Sequence, residues 1–220
     1  MGLPVGSSAT AAAVGLSAAV VAGFAFAPLV IGRFLSTRPP EGLLSLPLDD
    51  PTRRVRVVTG RHGREVDAFA AGILPGREYV FVTEALVESF EADELAAVLA
   101  HEEAHLRFGH LRRRCAAAVA LTLTWAAGLA TLGPVSGPGT MGATAGFAGA
   151  LAVVVGGLGV RHEYRSDRYA VRRTGADATL RALGRLEQAA PTPRLPAPLD
   201  RLGARALLRR RISRLRSVDR

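Results

Sequence analysis

The sequence predicts an α+β protein, mainly α: a helical membrane protein with about three transmembrane helices and a small antiparallel sheet. Two gaps in the charge pattern and a set of short alternating segments carry this expectation. No charged side chain precedes Arg33, and none occurs between Arg114 and Arg161. A bilayer crossing needs about 20 mostly apolar residues, so the first gap holds one crossing and the second, 46 residues long, holds two. Composition agrees: of 220 residues 49% are hydrophobic, yet the net charge is +9 and all 28 basic residues are arginine. The apolar content excludes a disordered chain, and the single Cys115 excludes a disulfide-stapled scaffold. Charge missing from every face over such lengths excludes a plain soluble domain.

Four segments follow. Residues 1–32 form an N-terminal transmembrane helix, its apolar run at 10–31. Phe24-Ala25-Phe26-Ala27 offers small residues for signal cleavage, but no basic region precedes the run and the run is long, so it reads as a retained span. Residues 33–114 are polar. Within them 39–51 is a Pro/Leu/Asp linker, and 53–59 alternates like a half-buried strand. Further strands are expected at 66–70 and 79–83, divided by Gly72, Pro75 and Gly76, with helices at 83–90 and 92–111. Asp93 and Glu94 in the first turn of the second helix complement its dipole.

Residues 115–160 form a transmembrane hairpin, with spans at 115–132 and 141–160 around a turn of breakers from Gly133 to Gly139. Gly142 and Gly146 have the spacing that lets helices approach closely in lipid, and Trp125 reads as mid-span packing. Residues 161–220 are polar again: helices at 162–173 and 178–188, a Pro-rich stretch at 191–198, and a last helix at 202–217.

Arginine placement orients the chain. Arg33, Arg38, Arg112–Arg114, Arg161, Arg165 and Arg168 flank the spans on one side, so 33–114 and 161–220 face the cytoplasm and the N-terminus lies outside. The expected location is therefore the cell (cytoplasmic) membrane, multi-pass, with unpaired Cys115 on the reducing side. The charge excess is C-terminal: residues 33–114 sum to −1 and residues 161–220 to +10. In the last helix Leu208, Ile212 and Leu215 form an apolar stripe among Arg209–Arg211, Arg214 and Arg216, which suits an anionic membrane surface. The lipid bilayer is thus an expected partner and nucleic acid is not. No sequence signal bears on oligomeric state.

One motif carries chemistry. His101-Glu102-Glu103-Ala104-His105 is an HExxH pattern inside the 92–111 helix. Residues four apart share a helix face, so both imidazoles can bind one ion, and zinc accepts such nitrogens. Glu102 is placed to take a proton from a zinc-activated water. The long HExxHxxGxxH form is absent, because position 111 is Leu and His110 falls one residue early. Downstream, Glu163 and Asp167 stand four apart just past the hairpin, so a carboxylate there can close the site and Asp167 can accept a ligating histidine's second N–H. The hairpin would bring both halves together.

In these residues the sequence resembles the HtpX-like integral-membrane zinc metallopeptidases, relatives of the CAAX-prenyl endopeptidase. The likeness covers roughly residues 50–217. It rests on Asp67-Ala68-Phe69-Ala70, on 94–102 leading into His105 and Gly109-His110, on Arg161, Glu163, Ser166-Asp167 and Ala170, and on Arg211-Ile212-Ser213-Arg214-Leu215. It implies a gluzincin-type zinc peptidase domain with one Zn2+ per chain held by His101, His105 and Glu163. It also implies Glu102 as catalytic base and Asp167 bonded behind a ligand. Asp67 stands where the family shows Asn, and the family's His-Pro-Pro is here Pro196-Ala197-Pro198. The expected function is a membrane-embedded zinc metalloendopeptidase acting on protein or peptide substrates, in membrane protein quality control. The alternative is a non-proteolytic zinc-binding membrane sensor or scaffold. Arg161 and His162 are expected candidates for steadying the oxyanion, and the strand at Asp67–Ala70 for pairing with an extended substrate.

Overall fold

The structure is a computed structural model that describes residues 5–41, 54–132, 137–190 and 204–218. Most of the 39–51 linker and the Pro-rich 191–198 stretch lie outside the described residues. In chain order the elements are α1 (Val5–Phe34), β1 (Thr37–Arg38), β2 (Arg54–Val58), a 3-10 turn (Gly60–Arg64), β3 (Ala68–Ala71) and β4 (Tyr79–Thr83). There follow α2 (Glu84–Ser89), α3 (Ala92–Arg107), α4 (His110–Leu132), α5 (Gly137–Thr174), α6 (Ala176–Ala189) and α7 (Ala204–Val218).

The sheet is mixed, which corrects the antiparallel expectation. Its order is β1-β2-β4-β3; β1 with β2 and β3 with β4 run antiparallel, but β2 and β4 run parallel. Alternating apolar residues mark a strand, yet carry no information about its direction. Here the chain leaves β2, passes through the 3-10 turn and descends as β3 on the outer edge. β4 therefore rises between them in the same sense as β2.

One face of that sheet buries Val57, Val80 and Val82 against Leu95, Val98 and Leu99 of α3, with Leu86, Phe90, Ala178 and Ala182 completing the core. Each such aliphatic side chain contributes roughly 1.5–3 kcal/mol of burial. Local signals start the helices cleanly. The Thr83 hydroxyl accepts from the Leu86 amide at the head of α2, and Glu91 and Glu94 form a reciprocal capping box on α3. Glu94 is buried and answered by Arg185 at 3.0 Å and Arg181 at 3.6 Å.

Two boundaries differ from expectation. The helix expected at 92–111 breaks, because Gly109 takes φ 62°, a left-handed value only glycine adopts cheaply, and α4 begins anew at His110. The helix expected at 162–173 is the C-terminal end of α5, whose 38 residues are one element about 57 Å long. It stops where Gly175 takes φ 89°.

Among the described residues two helices are long and apolar enough to cross a bilayer, Val14–Phe34 within α1 and Ala145–Thr174 within α5. Helix α4 is not one of them, because Arg112–Arg114 occupy its first turns, and the expected third crossing stays a proposal. Helices α4 and α5 do pair: Trp125 stacks on Phe147 with ring centroids 5.1 Å apart, as its mid-span position suggested.

Candidate metal centre

Helix α3 carries the first half of the site. His101 and His105 lie one turn apart and are both buried, and Glu102 between them borders a cavity of about 940 Å3. The second half arrives on α5. Small side chains allow this: Ala100 and Ala104 of α3 pack directly against Tyr169 and Ala170 of α5. The helices therefore run close enough for short side chains to meet. His101 Nε2 is 3.1 Å from His105 Nε2 and 3.2 Å from Glu163 Oε2, and His105 Nε2 is 3.5 Å from Glu163 Oε1.

These separations test the residues against a metal. Two atoms bound to one tetrahedral zinc at 2.0–2.1 Å stand about 3.3 Å apart. The three separations bracket that value, and two imidazoles with one carboxylate are donors zinc accepts. The residues fit a zinc ion.

Behind the donors, Asp167 Oδ1 lies 2.9 Å from His101 Nδ1, the nitrogen turned away from the site. Arg211 of α7 is buried against Asp167, donating from Nε to Oδ2 at 2.9 Å and from Nη2 to Oδ1 at 2.6 Å. Its Nη1 lies 3.0 Å from Glu163 Oε2. Packing of Leu208 and Ile212 on Leu183 of α6 seats α7 so that Arg211 faces inward. Behind His105, Nδ1 meets Nδ1 of His110 at 3.1 Å.

Burial sets the electrostatics. It raises the Glu102 carboxyl to about 7, the nearby histidine and arginine charges only partly offsetting it. Burial and Arg211 oppose a proton on His101, but bonds to Asp167 and Glu163 prevail and lift it to about 9. Burial and the charge on His101 then hold His105 down to about 3. One proton thus sits where a cation would, and cation binding must displace it.

The structure brings His101, Glu102, His105, Glu163 and Asp167 together. It does not do so for Arg161 and His162: Arg161 is exposed, His162 is buried against His110, and neither lines the cavity. Arg211, read from sequence as part of a membrane-facing basic stripe, is instead inside the site, because Asp167 and Glu163 offer it paired carboxylates. His110 and Arg211 are the residues sequence reasoning missed. His110 had a signal in its spacing from His105, whereas neither composition nor spacing separates Arg211 from Arg209 and Arg210 beside it, and the family resemblance quoted Arg211 without giving it a role. The cavity wall also includes Asp67 just before the edge strand, Phe69 and Ala70 within it, Leu183 and Leu186 of α6, and Phe24 of α1.

The crystal structure of S. mikatae Ste24p matches with a TM-score of 0.68 at 19% sequence identity, over 92% of this chain and 57% of that chain. At that identity the likeness is one of fold, and this chain spans little more than half the length of that protein. Comparison with curated proteins gives no match. The model of peptidase family M48 matches residues 46–215, from the strand region through both halves of the site to α7; the chain belongs to peptidase family M48.

Proposed function

We propose that this protein is a membrane zinc metalloendopeptidase that hydrolyses peptide bonds of protein substrates on the cytoplasmic side of the cell membrane. The observation that carries the reading is the convergence of His101 Nε2, His105 Nε2 and the Glu163 carboxylate within 3.5 Å of one another. On this reading those three residues hold one Zn2+, and Asp167 fixes the His101 ring. Zinc held there supplies Lewis acidity toward water and the scissile carbonyl. Glu102 accepts the proton of the attacking water and returns it to the leaving amine. A carboxyl lifted to about 7 suits both transfers.

Edge strand β3 lines the cavity beside α3 and pairs with β4 on one side only among the described strands. An extended substrate can add along its other edge, its backbone bonds giving affinity without sequence preference. The apolar wall from Leu183 and Leu186 then receives a side chain next to the cut. Retained spans in α1, α4 and α5 keep the site at the membrane, where quality control of membrane proteins is the proposed role.

The sensor or scaffold alternative needs zinc but no base. Glu102→Gln separates the two readings: bound zinc stays near one per chain, while casein cleavage or self-cleavage falls by roughly 10²–10⁴-fold. Unchanged cleavage in that variant would falsify the mechanism, and zinc retention in Glu163→Ala would remove Glu163 from the ligand set.

A further inference from the structure

The two histidines at the centre are supported unequally. His101 backs onto the Asp167 carboxylate at 2.9 Å, and that carboxylate is itself clasped by Arg211. His105 backs onto another imidazole, with Nδ1 of His110 at 3.1 Å. His110 has no exposed surface. The Gly109 turn folds it back under α3, and on its far face the His162 ring of α5 lies parallel, centroids 4.0 Å apart and planes within 4°. The Ser166 hydroxyl is 3.5 Å from the same His110 Nδ1.

We propose that His110 is the positioning residue for His105: its Nδ1 accepts the Nδ1–H of His105 and fixes that ring with Nε2 toward the metal, while His162 braces His110 by stacking. This rests on the metal-site reading above. Tautomer logic makes the roles follow. A His105 that offers the Nε2 lone pair must carry its proton on Nδ1. His110 Nδ1 must then be the acceptor, which places the His110 proton on Nε2, a buried atom with no partner among the described residues. His162 Nδ1 is buried and unpartnered in the same way, so the two rings meet through their faces and leave Nδ1 of His110 free for His105. A neutral imidazole behind one ligand and a carboxylate behind the other also divides the load. His101 is the more basic donor, and His105 donates less charge to the ion.

The test uses the full-length protein in detergent, with zinc affinity read by chelator competition and cobalt(II) as a spectroscopic substitute. In His110→Leu, which fills the space but accepts nothing, zinc binding weakens by roughly 10–100-fold and the cobalt visible bands shift. In His110→Asn, whose side-chain oxygen reaches the place of Nδ1, affinity and bands return toward wild type. A purely packing role predicts the reverse order, since Leu packs better than Asn, and that order overturns the proposal. The wild type needs no variant: in its cobalt(II) form the His105 ring N–H gives a shifted proton resonance that resists exchange with D2O. Rapid exchange of that proton overturns the proposal whatever the variants do. A wild type that takes up no zinc removes the metal-site reading as well, whereas normal uptake with unchanged affinity in His110→Leu removes this inference alone.

Discussion

Helix α5 has two ends that live in different solvents. Midway along it Val153 is 74% exposed on the protein surface, while fourteen residues later Asp167 is 1% exposed and Ser166 and Ala170 not at all. The apolar end presents carbon outward, which is stable only against lipid; the polar end turns carboxylates inward, which is stable only with partners. A single helix of about 57 Å exceeds a 30 Å hydrocarbon core and so can do both. The lesson is that hydrophobicity and burial part company along this chain. The residues most isolated from solvent are among the most polar.

That contrast can be broken most sharply at the polar end. Arg211→Ala leaves buried Asp167 and half-buried Glu163 without the guanidinium that pairs them, so the metal-free protein should lose roughly 3–5 kcal/mol, visible as a lowered thermal midpoint by circular dichroism in detergent. A midpoint within error of wild type would show that the pair does not hold α7 in place. A core position next to the site gives the apolar counterpart. Leu99→Ala on α3 empties space beside the sheet and should cost roughly 2–5 kcal/mol in the same assay.

Acid should act on the site that this polar end completes. Glu102 works only when ionised, and burial lifts its carboxyl to about 7. A bound cation pulls that value down, so hydrolysis should halve at or below pH 7 and then fall about tenfold per unit of further acidification. Activity that rises on acidification through this range contradicts the assigned base. The smallest effect belongs to the lipid-facing end. Val153→Ala removes no protein contact of consequence and should change stability by less than about 0.5 kcal/mol. A loss as large as that of Leu99→Ala would mean that this face is covered by protein instead.

Much of the site is legible in the sequence. Two histidines four apart with a glutamate between them imply a shared face, and a carboxylate pair just past a charge-free hairpin implies its return. Those inferences rest on helix geometry, which is local. The strand positions followed from alternation for the same reason. The parallel pairing of β2 with β4 did not, because direction depends on the path between them. Arg211 was invisible for a related cause: it sits in a run of identical residues, and only the packing of Leu208 and Ile212 on α6 decides which arginine turns inward.

By itself, then, the amino-acid order determined where apolar surface collects, which stretches are helical, and which residue types could hold a cation. Those follow from periodicity, charge and capping within a few turns of chain. Only the tertiary structure decided who stands behind each donor: Asp167 and Arg211 behind His101, His110 and His162 behind His105. These contacts span up to 110 positions in sequence and depend on how closely α3, α5 and α7 approach, a distance set by the size of side chains on all three.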